Sequence, residues 1–316
     1  MSTTAVRCRR APDLPVDILA DIVQIRGERP GTDENMRKPR AAFLVAMVLV
    51  LLASCSVRKT YTDPEGPVYS GDYCPVPAEF TGTLKVVSYN IALGEQTGLA
   101  VREFWETPEI RDADIILLQE MDAAGAGALA ESLGYDYVYY PSVVHVKHGK
   151  DFGTAVLTRW CITSHRKVVL PYEDPVRKSR RAITVAEIGA GDQLAIVMSV
   201  HTETAWMNID RRVAQADSLV RSLVGDHRYA VVGGDFNTFS WDAIDALDGF
   251  FERAGFIRAT EGIGSTARWG PLGLFELELD HIYTRGFDVV EAGKVWEAQA
   301  SDHKPVWAVI RLQETE

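Results

Sequence analysis

Four polar residues each follow directly after an apolar run of the kind that predicts a buried β-strand: Asn90, Glu120, His201 and Asp235. Open α/β sheets bind their ligands at the carboxyl ends of strands, so these side chains are expected to meet at one sheet edge. Chance explains one or two strands ending this way. Four of them, followed by Asp280-His281 and Asp302-His303, predict a site that combines carboxylates, an amide and imidazoles.

The clearest of these strand ends lies in residues 229–240, YAVVGGDFNTFS. An apolar strand is expected to break at Gly233-Gly234, because glycine adopts backbone conformations that other residues avoid. The break would present Asp235 and Asn237 in a tight turn. Asp and Asn are also common in ordinary turns, so this stretch by itself leaves a purely structural interpretation open.

The rest of the chain predicts the elements that position these residues. Apolar alternation and buried runs indicate strands, and amphipathic stretches with a period near 3.6 residues indicate helices. Strands are predicted over 84–89, 113–119, 135–140, 152–159, 162–170, 181–188, 193–200, 278–284, 289–296 and 305–312. Helices are predicted over 98–112, 123–133, 209–224 and 241–254.

The N-terminal region has the pattern of a targeting signal. Residues 36–54 combine a basic start with an apolar run over 41–53, which is too short to span a bilayer comfortably. The run ends in Leu-Ala-Ser-Cys, which resembles a bacterial lipobox and predicts lipid modification of Cys55. A signal anchor or a buried helix is the alternative. Residues 1–35 precede this signal, and we hypothesise that Met36 is the true start and that 1–35 are a non-native extension or disordered.

The predicted export has three consequences. Ser56 follows the lipidated cysteine, and by resemblance to Gram-negative lipoproteins this favours the outer membrane. Residues 55–81, rich in Thr, Pro, Gly and Ser, are predicted to tether the lipid to a catalytic domain over 82–316. Cys74 and Cys161 could form a disulfide in an exported protein or remain unpaired.

The composition restricts the partners. The net charge is −11, and the sequence shows no basic stripe of the kind that contacts nucleic-acid phosphates. A general nucleic-acid-binding protein is therefore disfavoured. A nuclease that relies on metal ions and a few local arginines remains possible, with nucleic acid as substrate only. The sequence does not indicate an oligomeric state.

The chain resembles the endonuclease/exonuclease/phosphatase superfamily. The matching motifs, in family order, are SYN (88–90), LQE (118–120), FGTAVLTR (152–159), SRRA (179–182), SVH (199–201), GGDFN (233–237), LDHIY (279–283) and SDHKPV (301–306). Each motif is weak alone, and together they cover roughly 82–312. The resemblance implies a deoxyribonuclease I-like fold, a four-layer α/β sandwich of two mixed sheets packed face to face with helices outside.

The resemblance also implies a metal-dependent phosphoesterase. Phosphoester charge repels hydroxide, so hydrolysis needs a cation, an activated water and hydrogen-bond donors. Glu120 is the expected ligand of Mg²⁺ or Mn²⁺, with Asn90 and Asp302 in the same region. Asn90 could instead contact the phosphate.

Further roles follow from the same resemblance. His303, oriented by Asp280, is expected to be the general base, with Asp235 as the alternative base. Asp235 and Asn237 would position the attacking water, and His201 would donate a hydrogen bond to a phosphoryl oxygen. Arg181 would bind substrate phosphate, although Arg180 beside it leaves the register open.

Other residues and the substrate stay less defined. His281 is expected to be a packing residue, and His145 and His148 to be solvated. The substrate is open among nucleic acid, phospholipid and small phosphoesters. Ala92 stands where abasic-site enzymes carry an acidic residue, which disfavours DNA repair. An inactive, membrane-tethered binding module with the same fold is the alternative function.

Overall fold

The computed structural model describes residues 59–145, 148–174, 178–190, 193–203, 208–223, 227–269 and 275–313. The extension predicted over 1–35, the signal peptide predicted over 36–54 and Cys55, the predicted lipidation site, lie outside them. Within the described ranges, no helix is long and apolar enough to cross a membrane.

The described part of the chain forms sixteen strands and four α-helices. The strands are β1 (Lys59–Thr60), β2 (Tyr69–Gly71), β3 (Thr83–Asn90), β4 (Ile115–Met121), β5 (Asp136–Val144), β6 (Asp151–Thr158), β7 (Ile162–Val169), β8 (Ala182–Ala190), β9 (Gln193–His201), β10 (Tyr229–Asp235), β11 (Ile257–Arg258), β12 (Ala267–Trp269), β13 (Phe275–Leu277), β14 (Asp280–Arg285), β15 (Phe287–Lys294) and β16 (Val306–Leu312). The helices are α1 (Thr97–Glu106), α2 (Ala123–Leu133), α3 (Ile209–Arg221) and α4 (Trp241–Arg253).

Two mixed sheets pack face to face. The first has the order β1-β5-β6-β4-β3-β16-β15, with β2 also paired to β5, and the second has the order β11-β14-β10-β9-β8-β7. Both faces of the first sheet are buried, and successive residues of β3 point to opposite faces. Val86 lies in the core between the two sheets, and Val87 lies in the core under α1 and α2. A third core lies between the second sheet, α3 and α4. The predicted four-layer α/β sandwich is confirmed.

One predicted helix is shorter in the structure. The pattern predicts a helix over 98–112, and α1 ends at Glu106. Thr107 has an extended backbone (φ −94°, ψ 112°) because the proline that follows it disfavours a helical conformation.

The predicted tether over 55–81 is wrong for residues 59–81, which pack on the first sheet. β1 and β2 pair with β5, and the Ala78 carbonyl accepts a hydrogen bond of 2.7 Å from Trp160 Nε1. Without these strands β5 would expose a row of unpaired backbone groups. The composition of residues 59–81 is typical of linkers and did not predict this packing. The pairing depends on the exposed edge of β5 as well as on the segment itself.

Cys74 and Cys161, for which the sequence leaves a disulfide open, are both free. The Cys74 thiol donates to the Arg159 carbonyl at 3.2 Å. Burial, followed by the charge of Asp136, raises the pKa of this thiol and so lowers its reactivity.

Candidate active site

The carboxyl ends of four strands meet at one edge of the packed sheets, and we call this edge, marked by Asn90, Glu120, His201 and Asp235, the site edge. β3 runs parallel to β4 and β9 runs parallel to β10. Asn90 Nδ2 donates to Asp235 Oδ2 at 3.1 Å across the two sheets. His201 Nε2 lies 3.5 Å from Asp235 Oδ2 and 3.9 Å from Glu120 Oε1. The structure brings together the four residues that the strand ends predict.

Glu120 is the extra residue of a β-bulge. The register between β4 and β6 passes from Gln119↔Thr154 directly to Met121↔Gly153. Glu120 therefore has no partner in this ladder, and its φ of 57° is strained for a residue with a side chain. Bulges re-aim side chains, and this one turns the carboxylate toward His201.

Asp235 ends β10 directly after two glycines, and the strand does not break at them as the sequence predicts. The φ of Gly234 is 153°, and a Cβ there would lie 1.8 Å from the Val200 carbonyl oxygen. Glycine is thus required because the backbone of β9 comes so close. The continuous strand pairs Asp235 with His201 on one side and with Asp280 on the other.

Asp280 and His303 form a hydrogen-bonded pair. His303 Nδ1 donates to Asp280 Oδ2 at 2.9 Å, and Thr266 Oγ1 donates to the same oxygen at 2.7 Å. With Nδ1 fixed in this way, His303 Nε2 faces Asp235 Oδ2 at 3.8 Å. The predicted orientation of His303 by Asp280 matches this geometry.

Burial and charge set the protonation of this group. Burial lowers the pKa of His303, but the carboxylates of Asp280 and Asp235 outweigh burial and raise that pKa to about 10. Burial raises the pKa of Asp235 to about 7, although His303 opposes the rise. Without a cation, His303 is an imidazolium near neutral pH and donates protons. These electrostatics favour Asp235, the alternative left open from the sequence, as the proton acceptor.

Asn237 fixes the loops around Asp235. Its backbone φ is 51°, and its N–H donates to Asp235 Oδ1 at 2.8 Å in a tight Asx turn. Asn237 Nδ2 donates to the Thr202 carbonyl at 3.1 Å, and Thr202 N–H donates to the Asp235 carbonyl at 3.0 Å. The loop after His201 is therefore tied to the loop after Asp235.

Arg181, and not Arg180, is the arginine of the site. Arg180 is exposed, whereas Arg181 is 6% exposed and its Nε lies 3.4 Å from Glu203 Oε1. Burial raises the pKa of Glu120, and the charges of His303 and Arg181 oppose that rise. Arg181 thus acts electrostatically on the site.

Asp302 lies on the exposed rim of the site. Ser301 Oγ donates to Asp302 Oδ1 at 3.3 Å. The charge of Asp302 adds to the rise of the Glu120 pKa, which burial dominates. The Asp302 carboxylate thus acts electrostatically on Glu120.

Phe152 is a site residue that sequence reasoning missed. Its ring is 5.6 Å from the His201 ring between centroids and 4.9 Å from the Arg181 guanidinium carbon. On its other side it stacks on His145, at 6.1 Å. His145 and His148, predicted to be solvated, are half-buried. The strand topology was the signal that could have indicated Phe152. Phe152 lies at the start of β6, and the start of a strand antiparallel to β4 must lie beside the end of β4, where Glu120 is found.

The sequence profile of the Endonuclease/Exonuclease/phosphatase family matches residues 87–303, which contain all of these site residues. The chain belongs to this family. A UPF0294 protein of Vibrio vulnificus (strain YJ016) is 29% identical over 114 residues, 36% of this chain and 38% of that protein. The chain thus matches well under half of that relative's length. A UPF0294 protein of Yersinia enterocolitica is 24% identical over 241 residues, 73% of this chain and 84% of that protein.

Solved structures share the fold at low identity. A family member from Leptotrichia buccalis is 19% identical with a TM-score of 0.58, covering 72% of this chain and 100% of its own. TDP2 of D. rerio, complexed with single strand DNA product, is 14% identical with a TM-score of 0.58, covering 72% and 99%. A mannosyl-6-phosphatase of Bacteroides thetaiotaomicron is 20% identical with a TM-score of 0.51, covering 72% and 99%.

The site of this endonuclease/exonuclease/phosphatase family member fits a divalent cation. Asp235, Asp280 and His303 have ligand atoms within 4.8 Å of one another, the one such trio found among the described residues. Asp280 Oδ1 is buried and has no hydrogen-bond partner within the described part of the chain. A cation would satisfy this oxygen and relieve the burial of the carboxylates. The predicted set of Glu120, Asn90 and Asp302 is a second candidate, and its oxygen ligands suit Mg²⁺ or Mn²⁺.

Proposed function

We propose that this protein is a metal-dependent hydrolase that cleaves a phosphodiester or phosphomonoester bond. The observation that carries the proposal is the array of Asp280, His303 and Asp235, with distances of 2.9 and 3.8 Å between successive partners. Membership of the family supports it, as do neighbours whose names refer to a mannosyl-6-phosphatase and to a single strand DNA product. The substrate class is open among nucleic acid, phospholipid and small phosphoesters.

Each residue of the site has a separate role in the proposed hydrolysis. Asp235, near its own pKa at neutral pH, accepts a proton from the attacking water. His303, held by Asp280, donates a hydrogen bond to the phosphoryl group. His201 and Arg181 add donors and positive charge where charge develops in the transition state.

A divalent cation would be held by Glu120 with Asn90 and Asp302, a set that is compatible with the roles of Asp235 and His303 given above. Asp235, Asp280 and His303 are the alternative ligand set, and a cation held there would replace His303 as the source of positive charge. When bound there, it supplies Lewis-acid stabilisation of the phosphoryl oxygens. Asn237 keeps the loops of Asp235 and His201 in register through the Thr202 carbonyl.

The proposed location is outside the cytoplasm. The basic start, the apolar run over 41–53 and the lipobox at Cys55 support export and a lipid anchor, with Ser56 favouring the outer membrane. The substrate would therefore be met in the periplasm, at the cell surface or in the membrane itself.

The test uses the full chain with Mg²⁺ or Mn²⁺ on plasmid DNA and on the soluble diester bis(p-nitrophenyl) phosphate. We expect turnover of the diester that EDTA abolishes and that His303→Ala lowers by about 100-fold or more. His165→Ala is the matched control, because His165 lies on β7 and hydrogen-bonds Tyr140 on β5, outside the group of site residues, and its loss should leave turnover unchanged. Plasmid nicking would assign a nuclease.

The second candidate is an inactive binding module with the same fold. It requires substrate analogues to bind with full affinity while no phosphoester is hydrolysed under any metal. The raised pKa of Asp235 and the oriented His303 argue against it, since a binding module needs neither feature.

A further inference from the structure

The chain joins the first sheet at the site edge. Lys59 pairs with Val144, and Val144 pairs with Asp151 at the start of β6. β6 runs antiparallel to β4, so its start lies beside the end of β4, where Glu120 is found. Lys59, the first described residue, therefore lies at the same edge as Glu120.

From Lys59 the chain runs away from the site edge. β2 pairs with an earlier part of β5 than β1 does, with Gly71 opposite Tyr137. The backbone N–H of Ala78 then donates to the Arg159 carbonyl at 3.1 Å, just beyond the far end of β6. Residues 59–78 thus cross the whole height of the sheet, and only their first residues are near the site.

The predicted lipid anchor is close to this point. Cys55 precedes Lys59 by four residues, which span at most about 14 Å when fully extended. Three strand spacings separate β1 from β4, about 14 Å in total. A lipid on Cys55 consequently holds the strand of Glu120 within about 30 Å of the membrane. An attachment at the opposite edge would add the length of β4, about 23 Å.

Exposed basic residues lie at the same edge. Lys59 is exposed, and the Lys150 side chain, directly before β6, is 58% exposed but forms an ion pair with Asp122 at 2.8 Å. Positive side chains are drawn to anionic lipid surfaces, whereas the whole chain, with a net charge of −11, is repelled by them. The exposed charge of Lys59 thus agrees with the anchor position.

We infer that the site edge faces the lipid surface and that the substrate is the phosphoester of a membrane-lipid headgroup. This inference rests on the proposed hydrolase function and on lipidation of Cys55. In the reaction, water adds its oxygen to phosphorus and the P–O bond to the leaving alcohol breaks. The proton that water loses balances the one that the leaving alkoxide gains.

The experiment uses the full, lipidated chain reconstituted into vesicles of phosphatidylethanolamine and phosphatidylglycerol with Mg²⁺ or Mn²⁺. Release of water-soluble phosphate compounds is compared with that of the Cys55→Ser chain, which cannot be lipidated. We expect release from vesicles to be about tenfold or more faster with the anchor, because tethering raises the effective concentration. Both forms should hydrolyse soluble bis(p-nitrophenyl) phosphate at the same rate.

Two further variants test the geometry. A flexible Gly/Ser insertion of about 20 residues after Ser56 keeps the lipid but frees the orientation, so vesicle hydrolysis should fall below the rate of the unaltered lipidated chain and stay above the Cys55→Ser rate. Lys59→Glu should slow hydrolysis on phosphatidylglycerol vesicles and leave the soluble diester unaffected.

The outcomes separate this inference from the proposed function. Equal vesicle rates with and without the anchor would overturn the orientation. Hydrolysis of the soluble diester without any lipid hydrolysis would overturn the lipid substrate and leave the hydrolase function standing. Failure on both probes would overturn the hydrolase function itself.

Discussion

Asn90 at the end of β3 donates Nδ2 to Asp235 Oδ2 at the end of β10, at 3.1 Å. Both side chains are buried, with 0% and 2% exposure. This bond joins the two sheets where their strands end, so the placement of the Asp235 carboxylate depends on the relative position of the sheets. The same contact makes Asn90 a structural member of the site as well as a candidate ligand.

Asn90→Ala should lower both stability and activity. It removes a donor from a buried carboxylate, which should lower the free energy of unfolding by about 1–3 kcal/mol in urea titrations. Asn208→Ala is the matched control, because Asn208 caps α3 through a 3.0 Å bond from the Arg211 N–H and lies outside the group of Asn90 and Asp235. That variant should lose about 1 kcal/mol and keep its turnover. Equal loss of turnover in both variants would contradict a specific role for Asn90.

Gly234→Ala should prevent folding or destabilise the protein by more than about 3 kcal/mol, because the new methyl group would meet the Val200 carbonyl. Gly98→Ala in α1 is the comparison, since nothing lies within 4 Å of its Cβ position. That change should stabilise by about 0.5–1 kcal/mol. Thermal unfolding of the two variants measures the difference, and a folded, unperturbed Gly234→Ala protein would refute the close approach of β9.

Metal binding should stabilise the protein, since the ion binds the folded state alone. Mg²⁺ or Mn²⁺ is expected to raise the Tm of the wild type, and EDTA to reverse the rise. Glu120→Gln and Asp280→Asn distinguish the two candidate ligand sets. Whichever variant loses the Tm response identifies the set that holds the ion, and a full response in both would exclude both sets.

Stability should fall in acid through His281. Burial lowers the pKa of this imidazole to about 3, and the charge of Arg258 adds to the effect. A folded pKa below the unfolded value of about 6.5 means that the contribution is complete above pH 6.5 and is lost as pH falls toward 3. Between about pH 7 and about pH 5 the loss should be about 2 kcal/mol. In His281→Phe this component of the pH dependence should disappear, and an unchanged slope would show that His281 is protonated in the folded state.

The sequence was informative about the fold and the site because both depend on local patterns. Apolar runs predicted most strands of both sheets, but not β1, β2 and β11, and the polar residues after these runs predicted Asn90, Glu120, His201 and Asp235 as one group. Strand ends of parallel neighbours meet by geometry, which accounts for Asn90 with Glu120 and for His201 with Asp235. The packing of the two sheets then brings these two pairs together. The order of the motifs from residue 88 to residue 306 was then sufficient to predict the family.

The tertiary structure decided what depends on pairing between distant segments. The bulge that strains Glu120 arises from the register of β4 against β6, and the burial that selects Arg181 over Arg180 comes from packing against Phe152 and Glu203. Residues 59–81 have the composition of a tether, yet they complete the edge of β5. The sequence of one segment cannot predict such contacts, because the stabilising free energy of each contact depends on both of the segments that form it. For the same reason, only the structure shows that the chain joins the sheet at the site edge.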